Sequence, residues 1–330
     1  MTDQSLKAPP SAALLKARDD LWAQHPFVSA SCKLPTRSVL WTRELVKRTA
    51  SRQRSSIAFW AHPTTGKSFC IECLSSLLTQ DFPGSGFFVY EAKRKDYTDE
   101  EQFLEDLLAE MDYELPVART LAARRTQLKR ALYAASAPRS HLFMVLDEAQ
   151  HLRENVLDWL KNIVNWLTTQ GVRVTVVLFG QQELLTRRDE LVATGRSDLV
   201  IRYMQQVVEF EGIRSAADLA TALRACDTAS EFPPGTGWPY TQFVWPYAFA
   251  AGLRLERHAD ALWLAFIQSS PTTKGAGGIA MQWIALTLCE LAMATKKRDS
   301  TSFELTDEDW MAAIQMSGYV ERMPTLRKKK

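Results

Sequence analysis

The apolar positions of this chain follow two spacings in turn, and that alternation predicts a fold before any motif is considered. Short runs rich in β-branched and aromatic residues predict five strands, at Ile57–Trp60, Gly86–Tyr90, Leu142–Leu146, Val172–Phe179 and Gln206–Phe210. Between these runs apolar residues recur every three or four positions. That spacing predicts helices over 36–50, 67–79, 99–111, 117–135, 153–169 and 181–194, and a shorter one at 14–22 that His25-Pro26-Phe27 stops. A strand as uniformly apolar as Val172–Phe179 belongs in a sheet covered on both faces. The expected fold class is therefore α/β, a five-stranded parallel sheet with helices on both sides.

After Gly212 the pattern changes. Gly and Pro cluster through Phe232-Pro233-Pro234-Gly235-Thr236-Gly237-Trp238-Pro239, and beyond them helical spacing takes over at 246–269, 279–296 and 307–317. The expected organisation is an N-terminal helical extension at 1–35, an α/β core at 36–212 and an all-helical domain at 213–330. The last of these ends in a basic tail, Leu326-Arg327-Lys328-Lys329-Lys330.

Two strand ends carry candidate chemistry. The first strand runs into a phosphate-loop pattern, in which Ala61 stands where the pattern begins with glycine. A strand, such a turn and then a helix aim backbone N–H groups and the positive helix end at phosphates, with Lys67 at the β- and γ-phosphates and Ser68 on Mg2+. The expected ATP-binding segment is Ala61, His62, Pro63, Thr64, Thr65, Gly66, Lys67, Ser68 and Phe69. The strand Leu142–Leu146 ends in Asp147-Glu148. Two adjacent carboxylates at the same end of a parallel sheet suit ATP hydrolysis, one holding the metal's water shell and the other polarising an attacking water.

Composition narrows the setting. With 46% hydrophobic and 24% charged residues among 330, the chain can bury a large core, and a formal net charge of +2 confines any nucleic-acid surface to a local patch. No stretch reaches the roughly 18 apolar residues that cross a bilayer, and Met1-Thr2-Asp3-Gln4-Ser5 lacks a leader pattern, so a cytoplasmic protein without membrane association is expected. The cysteines, Cys32, Cys70, Cys73, Cys226 and Cys289, are odd in number and form no framework, which fits a reducing compartment. Cys70 and Cys73 lack a second ligand pair at short spacing and read as ordinary thiols of the helix after the phosphate loop.

The segments Phe143-Met144-Val145-Leu146-Asp147-Glu148-Ala149-Gln150-His151-Leu152 and Val176-Val177-Leu178-Phe179-Gly180-Gln181-Gln182-Glu183-Leu184 resemble the TniB/TnsC group of AAA+ proteins. These are ATP-dependent regulators of bacterial DNA transposition, and secretion ATPases of the ExeA type share their core. The resemblance covers roughly residues 25–212, and the helical domain only in outline as a lid over the nucleotide. It implies that Asp147 is the metal-proximal acid and Glu148 the catalytic base. Gln181, or its neighbour Gln182, takes the place of the γ-phosphate sensor. Arg202, or else Arg196, takes that of an arginine finger reaching the next subunit's nucleotide. The lid departs from the group, since Gly277-Gly278-Ile279-Ala280-Met281-Gln282-Trp283 offers no sensor arginine. Either Lys274 or Gln282 substitutes, or the lid does not read the γ-phosphate. Together with Ala61, this departure implies slow hydrolysis, suited to a timer.

The same resemblance implies a homo-oligomer, a ring or filament around double-stranded DNA, with transposase subunits and a TniQ-like targeting protein as partners. In that group the elements after the second strand face the DNA. Here they supply Lys93, Arg94 and Lys95, then Arg119 and Arg124, with Arg125, Lys129 and Arg130 beyond; only part of this set can share one face. Lys and Arg neutralise phosphates without reading bases, which predicts sequence-tolerant, salt-dependent binding. Each of these residues reads equally as solvated surface, and Arg37, Arg43, Lys47 and Arg48 on the helix at 36–50 read more readily as a solvated face than as DNA contacts.

Overall fold

Five parallel strands form a single sheet in the computed structural model, which describes residues 10–29, 32, 34–52, 56–94, 97, 99–111, 116–136, 140–269 and 278–322. The strands are β1 (Ser56–Ala61), β2 (Gly86–Glu91), β3 (His141–Asp147), β4 (Arg173–Gly180) and β5 (Val207–Phe210), each close to its predicted limits. Their order is β2-β3-β4-β1-β5, with Phe59 opposite Phe179 and Glu91 opposite Asp147. Because β1 lies between β4 and β5, the strand order reverses beside it. The crevice outside the carboxyl ends at such a reversal is where open α/β sheets bind ligands.

Helices α1 (Ala12–Leu21) and α2 (Arg37–Ser51) precede β1, and α3 (Lys67–Asp81) follows it. Between β2 and β3 lie α4 (Glu100–Ala109) and α5 (Leu121–Ala135); α6 (Glu154–Thr169) separates β3 from β4, and α7 (Glu183–Ala193) and α8 (Ser197–Tyr203) precede β5. Successive strand side chains point to opposite faces, so each central strand feeds two cores. Leu142, Met144 and Leu146 of β3 and Val176 and Leu178 of β4 pack with Phe103 and Leu107 of α4, Leu128 of α5 and Leu160 of α6. Phe143, Val145, Val177 and Phe179 pack instead with Val46 of α2 and Leu74 and Leu78 of α3. This double burial is why β3 and β4 are apolar almost throughout.

The chain divides into two compact units, one of Val39–Pro63 and Lys67–Phe210, the other of Met1–Ser38, Thr64–Gly66 and Glu211–Lys330. The N-terminal segment thus clusters with the C-terminal helices. Arg18 of α1 pairs with Asp299 at 2.9 Å, and the His25 ring stacks on Phe243, with Phe27, Phe232 and Tyr240 edge-on around it. Burial in this aromatic cage lowers the His25 pKa to about 3.

The second unit continues with α9 (Ala216–Thr228), α10 (Tyr240–Val244), α11 (Pro246–Ala251), α12 (Ala259–Ser269), α13 (Met281–Thr295), α14 (Asp307–Met316) and α15 (Tyr319–Arg322). The helix expected over 246–269 is broken. Gly252, at φ +114°, ends α11 in a conformation that side chains resist, and a 3-10 turn at Leu255–His258 leads into α12. The helix α9 was not expected from spacing, although its buried positions Leu219, Ala222, Leu223 and Cys226 do recur helically. Among the described residues no helix is long and apolar enough to cross a membrane.

Candidate active site

The phosphate-loop pattern folds as its residue types require. Thr64 and Gly66 both take positive φ, 64° and 103°. Left-handed residues at near positions curl a backbone so that its N–H groups converge, and the helix α3 begins at once with Lys67. Ser68 is exposed on the first turn of α3, whereas Thr65 is buried. The other members of the segment have different duties. Ala61 is the last residue of β1, and its small side chain is buried in the core below the loop. Phe69 packs on the same core, and His62 sets its ring edge-on to Trp60.

Lys67 and the end of β3 come together. Lys67 Nζ lies 2.7 Å from Asp147 Oδ1 and also donates to Glu148 Oε1. Glu148 holds a left-handed backbone, φ 49° and ψ 37°, which a non-glycine residue adopts at a cost of roughly 1–3 kcal/mol. The turn directs its N–H to Asp147 Oδ1 at 2.7 Å. Its second carboxylate oxygen accepts from Gln150 Nε2 at 2.6 Å and from Gln181 Nε2 at 3.3 Å. Of the two neighbouring glutamines it is therefore Gln181 that meets the acid, while Gln182 is exposed at the start of α7.

Electrostatics follow from these contacts. Burial pushes the Glu148 carboxyl upward, but the bonds from Lys67 and Gln150, the Lys67 charge and the bond from Gln181 outweigh it, and the group titrates below the ordinary carboxylate range. Glu148 is thus ionised at neutral pH, a carboxylate able to accept a proton. Gln150, within the motif that follows β3, couples the two strand ends. It is buried, its Oε1 accepts the Gln181 N–H at 3.0 Å, and a Cβ on Gly180 would come within 2.8 Å of that oxygen. The glycine at the end of β4 makes room for it.

The arginine candidates separate. Arg202 lies in the last turn of α8, where Nη2 donates to Asn165 Oδ1 at 2.6 Å. Arg196, just before α8, is ringed by Glu154, Asp158 and Asp198, which raise its already high pKa further. Of the lid candidates, Gln282 is exposed in the first turn of α13, and Lys274 lies outside the described residues.

The basic set expected on DNA is partly taken up inside its unit. Arg124 donates to the carbonyls of Ala118 at 2.8 Å and Glu101 at 3.1 Å and lies 3.4 Å from Glu105, which commits it to holding α5 against α4. Arg125 pairs with Glu100, and Lys93 lies 3.6 Å from Asp106 and 3.9 Å from Glu110. Arg94 and Arg119 are exposed. Lys95 and the basic tail at 326–330 fall outside the described residues.

Fold and site together define a fold class: the parallel sheet, the Gly-Lys-Ser turn after β1, the acid pair at the end of β3 and the helical C-terminal region make up an AAA+ P-loop fold. Within it, residues 49–187 match the family model for an AAA domain. Among solved structures the chain is similar to the ORC2 protein of Aeropyrum pernix in ADPNP-ADP complexes, with a TM-score of 0.56 at 13% identity over 86% of this chain and 69% of that one. The ADP form of that protein gives a TM-score of 0.52 at 13% identity over 83% and 67%. At such identity the likeness is one of fold. No curated protein matches the sequence.

Proposed function

We propose that this protein is an ATP-dependent regulator of DNA transposition of the TniB/TnsC kind, which assembles as a ring or filament on duplex DNA and links the choice of target site to the transposase. The observation that carries the ATPase part is the joining of Lys67, Asp147 and Glu148, with Glu148 held also by Gln150 and Gln181. In this reading the loop N–H groups and Lys67 bind the phosphates of ATP. Glu148 accepts a proton from the attacking water, and Gln181 fixes the carboxylate that does so.

The donor set suits Mg2+. Ser68 offers a hydroxyl and Asp147 a carboxylate, both hard oxygen donors. When bound, the ion neutralises charge on the phosphates. Arg202 acts across the subunit boundary in this scheme, and slow hydrolysis times release. Transposase subunits and a TniQ-like protein are the partners it calls for.

A second reading, an ExeA-like or other AAA+ assembly regulator that does not bind DNA, draws support from one observation. Lys93, Arg124 and Arg125 are already paired with acidic residues of their own unit. Measuring ATP hydrolysis with and without duplex DNA, and duplex binding with and without ATP, separates the two. ATP-dependent duplex binding with stimulated hydrolysis supports the first reading; hydrolysis indifferent to DNA, with no duplex bound, leaves the second.

A further inference from the structure

A cavity of about 790 Å³ opens beside the glutamines that hold Glu148. Arg94, which follows β2, contributes to it, as do Gln150 and Arg153 from the chain after β3, Gln181 after β4, and Glu183 and Arg187 from α7. Lys67, Ser68, Asp147 and Glu148 are not among its lining residues, but Gln150 and Gln181 are and both bond Glu148, so the cavity adjoins the phosphate-loop site. Its lining holds three arginines and His151 beside one acidic residue, Glu183. Arg187 gives Nη1 to Glu190 at 2.7 Å, while its Nε is buried with no hydrogen-bond partner among the described residues. A buried donor without an acceptor is costly, and planar guanidinium groups match the oxygens of phosphate.

We propose that this cavity is a second oxyanion site, which takes a phosphate group, and that Gln150 makes Glu148 responsive to its occupation. The second half rests on the reading of Glu148 as the catalytic base. Gln150 lines the cavity and at the same time donates to Glu148 Oε2 and accepts from the Gln181 N–H. Its amide is confined, because Gly180 leaves no spare space beside Oε1. An anion drawn against Arg153 and Arg187 changes the field and the hydrogen bonding at both glutamines, the two neutral donors that fix the Glu148 carboxylate. Gln150 is thus a positioning residue. The phosphate has two sources of the same chemistry: the backbone of a nucleic acid, or inorganic phosphate released at the neighbouring loop.

Calorimetric titration of the full chain tests the site, in a Lys67→Ala background that weakens anion binding at the phosphate loop. Inorganic phosphate and a duplex oligonucleotide are titrated separately. At least one should bind, with affinity reduced about tenfold or more by Arg153→Gln with Arg187→Gln. Arg187→Lys, which keeps the charge but not the planar donors, should keep only part of the affinity, and Glu183→Gln, which removes the opposing carboxylate, should raise it. Binding of phosphate alone identifies the free ion as ligand; binding of duplex alone identifies the backbone. Affinities indifferent to all these substitutions overturn the site. With Lys67 intact, the bound probe should alter the ATPase rate of the wild type but not of Gln150→Leu, and an equal response in both overturns the role of Gln150. Arginine-dependent phosphate binding by a protein that hydrolyses no ATP would support the site and overturn the ATPase reading instead.

Discussion

Lys67 Nζ lies 2.7 Å from Asp147 Oδ1 and reaches Glu148 as well, so one ammonium holds both carboxylates that the end of β3 presents. The three side chains share a partly buried site in which an unpaired charge would be penalised. In the proposed function Lys67 therefore has two jobs, one toward phosphate and one toward its own acids.

Removing it should show both. Lys67→Ala is expected to abolish ATP binding in a fluorescent-nucleotide titration. It should also raise the Glu148 pKa, since Lys67 supplies two of the influences that lower it. Equal ATP affinity in the wild type and the variant would remove Lys67 from the site.

Replacing the acid alone should separate binding from chemistry. Glu148→Gln keeps the size of the side chain and leaves Lys67 with Asp147. ATP should stay bound while hydrolysis slows by a factor of about 10² or more. A single-turnover assay decides it, and a rate near that of the wild type would move the base elsewhere.

The environments of the two arginines predict different phenotypes. Arg202 has a neutral partner in Asn165, so Arg202→Ala should spare the fold and ATP binding while lowering ATP hydrolysis and ATP-dependent assembly. Mixing it with Lys67→Ala protein should restore part of the activity, because each supplies what the other lacks. Arg196→Ala removes the ion pairs to Glu154, Asp158 and Asp198, leaving Lys161 as the cation beside Asp158 and Asp198, and should lower the melting temperature. Absence of rescue at every mixing ratio, with both proteins folded, rejects Arg202 as a residue acting in trans.

The parts of this molecule that are legible in its sequence are those set by burial. The strands β3 and β4 can be read because both faces are covered, and the meeting of Lys67 with Asp147 follows from two strand ends on one side of a parallel sheet. Gln150 is less legible, since its role depends on a turn after β3 and on the missing side chain of Gly180 on another strand. The helix α8 is short, with Leu199, Val200 and Tyr203 as its buried residues, too few to display a period. Charge is the least legible property. Counting Arg124 and Arg125 as a basic surface overlooks Glu100, Glu101 and Glu105 on α4, which only the packing of α4 on α5 brings to them.

That pairing sharpens the test of DNA binding. Reversing charge at Lys93, Arg94 and Arg119 should weaken duplex binding in ATP without lowering nucleotide affinity. Arg124→Glu should lower thermal stability whether or not DNA is present, because it removes the bonds to Ala118 and Glu101. Wild-type binding, followed by fluorescence anisotropy, should weaken steeply between about 50 and 200 mM salt and vary little with sequence. Full duplex binding by the triple variant would place the contact surface elsewhere.

Acid should destabilise the protein in two windows, and histidines set the first. Burial lowers His25 to about 3 and His141, with help from the Arg173 charge, to about 4, against an ordinary value of 6.5; burial shifts His258 the same way. A histidine kept neutral by folding binds its proton more readily in the unfolded chain, so stability is full above about pH 6.5 and is lost as pH falls toward the folded values. The carboxylates with lowered pKa, such as Asp81 beside Arg43 and Lys47, contribute stability that persists until pH falls below about 4. The interval between about pH 6.5 and 4.5 is therefore where the histidines act, with Asp227, whose carboxyl burial pushes upward, working in the opposite sense. Melting temperatures measured across it should decline in the wild type. They should decline less steeply in His25→Asn, even though that variant is less stable at pH 7 through loss of ring contacts with Phe243 and Phe27. An unchanged slope in His25→Asn would mean that the aromatic cage admits the charged ring.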